Sequence, residues 1–387
     1  MLRRVYHIAL RECAILWKDP IYAFCMVGFP LLSVVFFTSL MSGGVPEDLP
    51  VGVVDQDHTS ESRQIAMELD ACQSARIAAW PVNVTEAQDA MKRGEIYGYV
   101  LIPEGTTREI YNGKQPHLSF YYSNLSLVAG SMVYKDLKTV LTLRKAKVGI
   151  TKLAAVGKTD EEIATSLQPI ALDMHMVGNP YSNYNYYLST TMVPGVILLL
   201  VFLVTPFSIG TELKFGRSRE WLSMADNNIY VALLGKLLPQ TLVFLAIFYA
   251  FEFYIYGVLR FPHPGGAIPI LLLGLLSVLA CQSFGVFAFG LTPSLRMSMS
   301  ICSLWGVISF SICGATFPVS SMHPFLQSIA VLFPLRHYYM VYQETIFHGF
   351  PLQYALPHIV VLILFLALPF LVAWNIKKAM LIYKYIP

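Results

Sequence analysis

Five stretches of this chain, 21–41, 188–210, 267–291, 297–317 and 354–375, each run for at least 21 residues without a single Asp, Glu, Lys or Arg. A helix needs about 20 apolar residues to cross the roughly 30 Å hydrocarbon core of a bilayer, and only a segment that satisfies its own backbone can do so. A sixth stretch, 237–259, carries one carboxylate, Glu252, near its end. The chain therefore reads as a polytopic α-helical membrane protein with six transmembrane helices. With 13% charged residues, against about a quarter in soluble domains, a soluble enzyme is excluded. A net charge of +3 gives no field for nucleic acid. The first stretch lies too far from Met1, and lacks the small-residue cleavage site, of a removable signal peptide, so it reads as a permanent anchor.

Orientation follows from Lys and Arg in the short segments. Arg3, Arg4, Arg11 and Lys18 precede the first span, and Lys214, Arg217, Arg219 and Lys236 separate the second from the third. Arg296 lies between the fourth and fifth, and Lys377, Lys378 and Lys384 follow the sixth. The opposite side offers only Arg260 and Arg336. Both termini are expected in the cytoplasm, with 376–387 as a cytoplasmic tail. Residues 42–187 then form one extracytoplasmic domain, whose own basic residues do not count because large domains translocate regardless of charge. Cys72 is its single cysteine, so it has no intrachain disulfide framework.

Within that domain, apolar runs give way to short strands alternating with helical stretches, the pattern of a small α/β domain. Strands are expected at 49–55, 76–82, 97–103 and 117–123, helices from Thr59 or Ser60 to about Ala71 and from Thr85 to Arg93, and long helices from Ser126 to about Leu172. Asp55, Asp57 and His58 share the turn after the first strand. That grouping could hold a metal, but Asp and His at a strand end more often satisfy turn amides. Gly157-Lys158-Thr159 fails as a phosphate loop, because Lys152 stands where the motif needs a glycine. The chain offers no nucleotide site, nucleophile elbow or zinc pattern of its own, so it reads as a non-catalytic subunit with no cofactor bound directly.

On the cytoplasmic side, residues 1–20 form an amphipathic interface helix with Leu2, Val5, Ile8, Ala9, Ile15 and Leu16 on one face and Arg3, Arg4, Arg11 and Glu12 elsewhere. The segment 211–236 crowds Glu212, Lys214, Arg217, Arg219, Glu220 and Asp226 between two spans. It is longer than a connector requires, and is either a solvated loop or a lever for a docking protein.

Here the residues match a known pattern. Glu212, Gly216, Ser218-Arg219-Glu220 and Leu222 follow the second span in the order Glu, Gly, Thr-x-Glu-x-Leu, with Arg217 inserted and Ser replacing Thr. After the fifth span come Gly314, Phe317-Pro318, Met322-His323-Pro324, Phe333-Pro334-Leu335 and Gly349, with His323 inserted and Gln343-Glu344 where an Arg is common. Together with the opening VGVVDQDHTSESRQ of the external domain, these resemble the permease subunits of ABC-2 type transporters, specifically bacterial six-span exporters with a large external domain after the first span. The resemblance implies an exporter subunit in the bacterial inner membrane, dimeric with itself or with a related permease, with a periplasmic adaptor as a further candidate partner. ATP and Mg would be bound by a separate ATPase subunit. It also implies that Glu212, Lys214, Gly216, Arg217, Ser218, Arg219, Glu220, Trp221 and Leu222 dock that ATPase. Residues 318–349 would form an external re-entrant segment marked by Gly314, Phe317, Pro318, Met322, Pro324, Pro334, Leu335 and Gly349.

Thr191, Leu198, Phe202 and Thr205 recur on one face of the second span, and Trp305, Ser309 and Cys313 at intervals of four in the fifth. The resemblance implies that these spans line a dimer interface, where such faces could bind an amphipathic, drug-like or lipid-like substrate; the same residues also serve as helix-packing contacts. Glu252, the ionisable residue in a span, is a functional candidate, expected near the outer end within reach of water and of Arg260. It motivates an alternative, a proton-coupled secondary transporter, although no internal helical repeat supports one. A membrane-anchored receptor or scaffold using the external domain is a third reading.

Overall fold

The computed structural model describes residues 1–387 apart from 113, 115, 169–177, 180, 181, 384, 386 and 387. It separates into two units, Met1–Ser42 with Met176–Pro387, and the inserted Gly43–His175. Helix α1 (Leu2–Lys18) stops at Asp19, which Pro20 forces into extended backbone. The Asp19 carboxylate accepts from the Ile21 amide at 3.0 Å and starts α2 (Pro20–Ala23). A wide π turn (Phe24–Gly28) and α3 (Phe29–Leu40) complete the first membrane-length helix.

The inserted unit alternates β1 (Leu49–Asp55), α4 (Ser60–Asp70), β2 (Ala75–Ala79), α5 (Val84–Lys92), β3 (Gly98–Ile102), α6 (Thr106–Tyr111) and β4 (Ser119–Tyr122), then α7 (Leu127–Ala155) and α8 (Asp160–Leu167). The sheet order is β2-β1-β3-β4, parallel except for β4 against β3. Val51 and Val53 pack with Ile65, Leu69, Val133 and Leu137, and Val54 packs with Ala87 and Ala90. Helices α4 and α7 therefore cover one face of β1 and α5 the other, which is why its run LPVGVVD is apolar without alternation. Helix α6 answers to no sequence expectation, and the end of the expected long helical region, beyond Gln168, lies outside the described residues.

Two suspected motifs resolve into structural roles. Asp55 accepts from the amides of Asp57 and His58 at 3.0 Å and from the Ser62 hydroxyl at 2.7 Å. Asp57 accepts from the Gly105 amide at 2.8 Å, the Thr107 amide at 3.1 Å and the Thr59 hydroxyl at 3.0 Å. Slight burial raises the Asp57 carboxyl, but the bonds from Thr107, Thr59 and Gly105 outweigh it and hold it below the usual range. Its lone pairs go to turn donors. Gly157, at φ +83, ends α7, and Thr159 caps α8 in a box with Glu162.

The other membrane-length helices are α9 (Tyr184–Lys214), α11 (Ile229–Phe253, extended by a π turn to Val258), α12 (Ala267–Leu291) and α13 (Leu295–Ile312). The last is α16 (Leu356–Phe365) with α17 (Leu368–Ile382). Six helices among the described residues are thus long and apolar enough to cross a membrane. The short α10 (Ser218–Met224) follows α9, and α14 (Pro324–Ala330) and α15 (Pro334–Val341) lie between α13 and α16, each opened by its proline. Pro194 denies an amide to the Thr190 carbonyl inside α9, and the Tyr338 hydroxyl of α15 donates there instead, at 3.3 Å. Residue Lys384 of the expected tail lies outside the described residues.

Three span boundaries differ most from expectation, one being the end of the sixth, where α17 carries the helix past residue 375 to Ile382. Helix α13 ends at Ile312 rather than at residue 317, because Gly314 turns the chain at φ +100. Helix α11 begins at Ile229 rather than at residue 237. Asn228 caps it through the amides of Tyr230 and Val231, and Lys236, which would ordinarily bound a span, is 1% exposed.

Candidate functional site

Glu212 sits in the last turn of α9 and is fully buried. A carboxylate without water costs several kcal/mol unless it is paired and hydrogen-bonded. Arg11 donates to both of its oxygens at 2.9 Å, the bidentate geometry that suits a guanidinium. Lys236 of α11 donates to Glu212 at 2.8 Å and to Glu12 at 2.8 and 2.9 Å. Glu12 and Lys236 are buried as completely as Glu212, so two cations and two anions close into one neutral cluster joining α1, α9 and α11. Burial opposes the Arg11 charge, yet the bond and field of Glu212 raise its pKa above the ordinary guanidinium value. Burial likewise pushes the Glu12 carboxyl up, with Lys236 pulling against it.

Close approach makes the cluster possible. A Cβ on Gly235 would lie 2.7 Å from Ile8 Cβ, so only glycine admits α1 against α11 there. Trp221 of α10 lies beneath Lys236, whose ammonium is 5.5 Å from the ring centroid, and its indole donates to the Ala232 carbonyl at 3.3 Å. Trp221 and Leu222 are wholly buried with Ile209, Leu213 and Ile376. Helix α10 is thereby fastened to the ends of α9 and α11.

The expected docking residues divide between the two sides of this joint. Glu212, Ser218, Trp221 and Leu222 face inward and hold the element; Lys214, Gly216, Arg219 and Glu220 are exposed, and Arg217 is half-buried. Gly216, at φ +67, makes the left-handed turn from α9 into α10. Phe215 escaped sequence reasoning. It is 58% exposed, between the Lys214 ammonium and the Arg217 guanidinium, 5.6 and 5.0 Å from its ring centroid. Glu12 corrects the sequence picture of α1. It lies on the buried stripe, four residues after Ile8, and not on the polar face.

The expected path residues are interior. Thr191, Leu198, Phe202 and Thr205 are all 1% exposed or less, and Thr191 and Thr205 donate back to carbonyls of their own helix. Phe202 packs on Phe284, Phe284 stacks on Trp305, and Trp305 stacks on Phe333, with centroids 5.4, 5.0 and 4.5 Å apart. Ser309 and Cys313 donate to the carbonyls of Trp305 and Phe310. Around α14 and α15, Pro334 and Leu335 are buried, Met322 is half-buried, and Phe317, Pro318 and Pro324 are exposed. Gly349 makes a left-handed turn beside Pro264. Glu252 departs from expectation. It is 4% exposed, and among the described residues neither oxygen has a hydrogen-bond partner, Arg260 included.

This arrangement, a helical bundle with a charged joint beneath a short surface helix, meets a family model described as ABC-2 family transporter protein, which matches residues 20–375. The chain belongs to the ABC-2 transporter family. No curated protein and no solved structure matches it. As an ABC-2 chain it is the membrane-spanning permease component of an ABC transporter, a kind of assembly in which an ATPase partner supplies the energy.

Proposed function

We propose that this ABC-2 permease exports an amphipathic, drug-like or lipid-like molecule from the cytoplasm or its adjoining leaflet. A separate ATPase subunit docks on the exposed side of the α9–α10 turn, at Lys214, Phe215, Gly216, Arg219 and Glu220. The observation that carries this reading is the buried cluster Arg11–Glu212–Lys236–Glu12. It makes the outward-facing charges part of a stiff element, so a push on α10 passes into α9, α11 and α1 rather than dissipating in a loop. Twelve of fourteen short-segment cations favour the side holding both termini, which supports a cytoplasmic docking face. On that orientation the inserted α/β unit is extracytoplasmic, in the periplasm of a bacterial inner membrane, and the α14–α15 stretch is the re-entrant segment. Two copies, or this chain and a related permease, enclose the path.

Affinity purification of the chain from its own membranes tests the reading. An ABC ATPase is expected to be retained, and Glu220→Arg to lose both it and export while keeping the wild-type elution profile. A chain that never retains an ATPase, together with a Glu220→Arg variant that exports normally, would overturn it.

A further inference from the structure

Glu252 is the buried acidic side chain that the joint leaves unexplained. It lies two turns from the end of the third membrane-length helix, 4% exposed, with both carboxylate oxygens unpartnered among the described residues. Its surroundings are aromatic. Tyr256, Tyr338 and Tyr342 are within its electrostatic reach, but Tyr256 and Tyr342 share a hydrogen bond with each other, and Tyr338 donates to Thr190. A carboxylate that ends in no bond inside a bundle points to a partner absent from this conformation.

A cavity of about 570 Å3 lies along the same helix, lined among others by Val34, Thr38, Ile247, Phe251, Tyr254 and Leu259. That volume suits a drug-sized molecule, and the lining suits its hydrocarbon. Phe251 precedes Glu252 and Tyr254 lies two residues beyond it, so the carboxylate leaves the same turn of α11 that lines the cavity, on another side. Immediately beyond, α11 passes into the π turn Tyr254–Val258, which holds one residue more than an α turn. With the first part of α11 held, moving that extra residue to the other side of position 252 sets Glu252 back by one place, about 100° of rotation. The carboxylate then takes the direction that Phe251 has here, into the cavity.

We propose that Glu252 is the counter-ion for the positive charge of the transported molecule, and that the cavity beside α11 holds the apolar part of this lipophilic cation. The proposal deepens the export reading and rests on it. The same shift carries Phe251 into the place of Ala250, which also lines the cavity, so an aromatic ring stays beside the carboxylate, as suits a large cation.

The test is equilibrium binding of tetraphenylphosphonium, with neutral triphenylphosphine oxide as control, to the purified full-length chain in lipid nanodiscs. Glu252→Gln is expected to weaken the cation by at least about thirtyfold, as when one side of a buried charge pair is removed, and to leave the neutral probe unchanged. Equal cation binding by wild type and Glu252→Gln overturns the proposal. Should Glu252→Gln lose both probes, Glu252→Asp decides: recovered cation binding supports the counter-ion role, and continued loss overturns it. A chain that retains its ATPase yet binds the cation without regard to Glu252 removes this proposal alone. A chain with Glu252-dependent binding and no ATPase removes the export reading alone.

Discussion

The guanidinium of Arg11 grips both carboxylate oxygens of Glu212 at 2.9 Å, although the residues stand 201 positions apart. Lys236 completes the cluster from a third helix. Because Glu12, Glu212 and Lys236 are fully buried, the loss of one partner matters more than the bond count suggests.

Lys236→Met is therefore expected to destabilise the bundle by about 3–5 kcal/mol, the usual cost of leaving a buried charge unpaired. Thermal unfolding followed by tryptophan fluorescence measures it, since Trp221 lies under the ammonium. Adding Glu12→Leu should recover most of the loss, because it removes the carboxylate that Lys236 alone holds. A double variant no more stable than Lys236→Met would show that Glu12 is not held chiefly by Lys236.

At Gly216 the cost is conformational. A Cβ there would meet nothing within 4 Å, but φ is +67, so Gly216→Ala should weaken the α9–α10 turn by about 1–2 kcal/mol. Gly216→Asn should cost less, since Asn tolerates the left-handed region better. Amide exchange over residues 214–224 would rank the three, with alanine exchanging fastest.

Tyr338→Phe removes the hydroxyl that serves the Thr190 carbonyl beside Pro194. A buried acceptor left without a donor costs about 1–3 kcal/mol, and the aromatic volume is otherwise conserved. A melting temperature equal to wild type would mean that the carbonyl is served by another donor.

In the α/β unit the prediction concerns pH. Asp57 is held below its ordinary value, so its contribution to stability is present above the unfolded-state pKa, about 3.9, and lost as pH falls through the lower folded value. Asp57→Asn should destabilise this unit at neutral pH, and its deficit should shrink on acidification. Trp80, the one tryptophan in residues 43–175, reports the transition. A deficit independent of pH would assign the effect to the amide's geometry instead of the charge.

The fold was largely readable because its signals are local. Charge-free runs mark lipid-crossing helices, and LPVGVVD followed by Thr59 marks a strand and a capped helix. Long-range pairing was hidden. Arg11 and Lys236 look like cations that merely obey topology, since nothing in the sequence announces carboxylates waiting for them 201 and 24 positions away. Glu12 did carry a signal, its i+4 spacing from Ile8, but a charged residue on an apolar stripe is easily assigned to the opposite face. The start of α11 was misplaced for the same reason: a lysine bounds a span only while it needs water. Phe215 left a fainter trace, a lone aromatic among cations. Glu252 was visible as an anomaly, while its isolation depends on which way each tyrosine hydroxyl turns.

The joint holds two positive and two negative groups within hydrogen-bonding distance of one another, so it moves as an electrically silent body. Voltage across the bilayer exerts almost no net force on it, and added salt, which reaches only the half-buried Arg11, should weaken it little. Among the described residues at this end of the bundle, the exposed pair of Arg4 and Asp226 is then the one that should feel the ionic composition of its surroundings most.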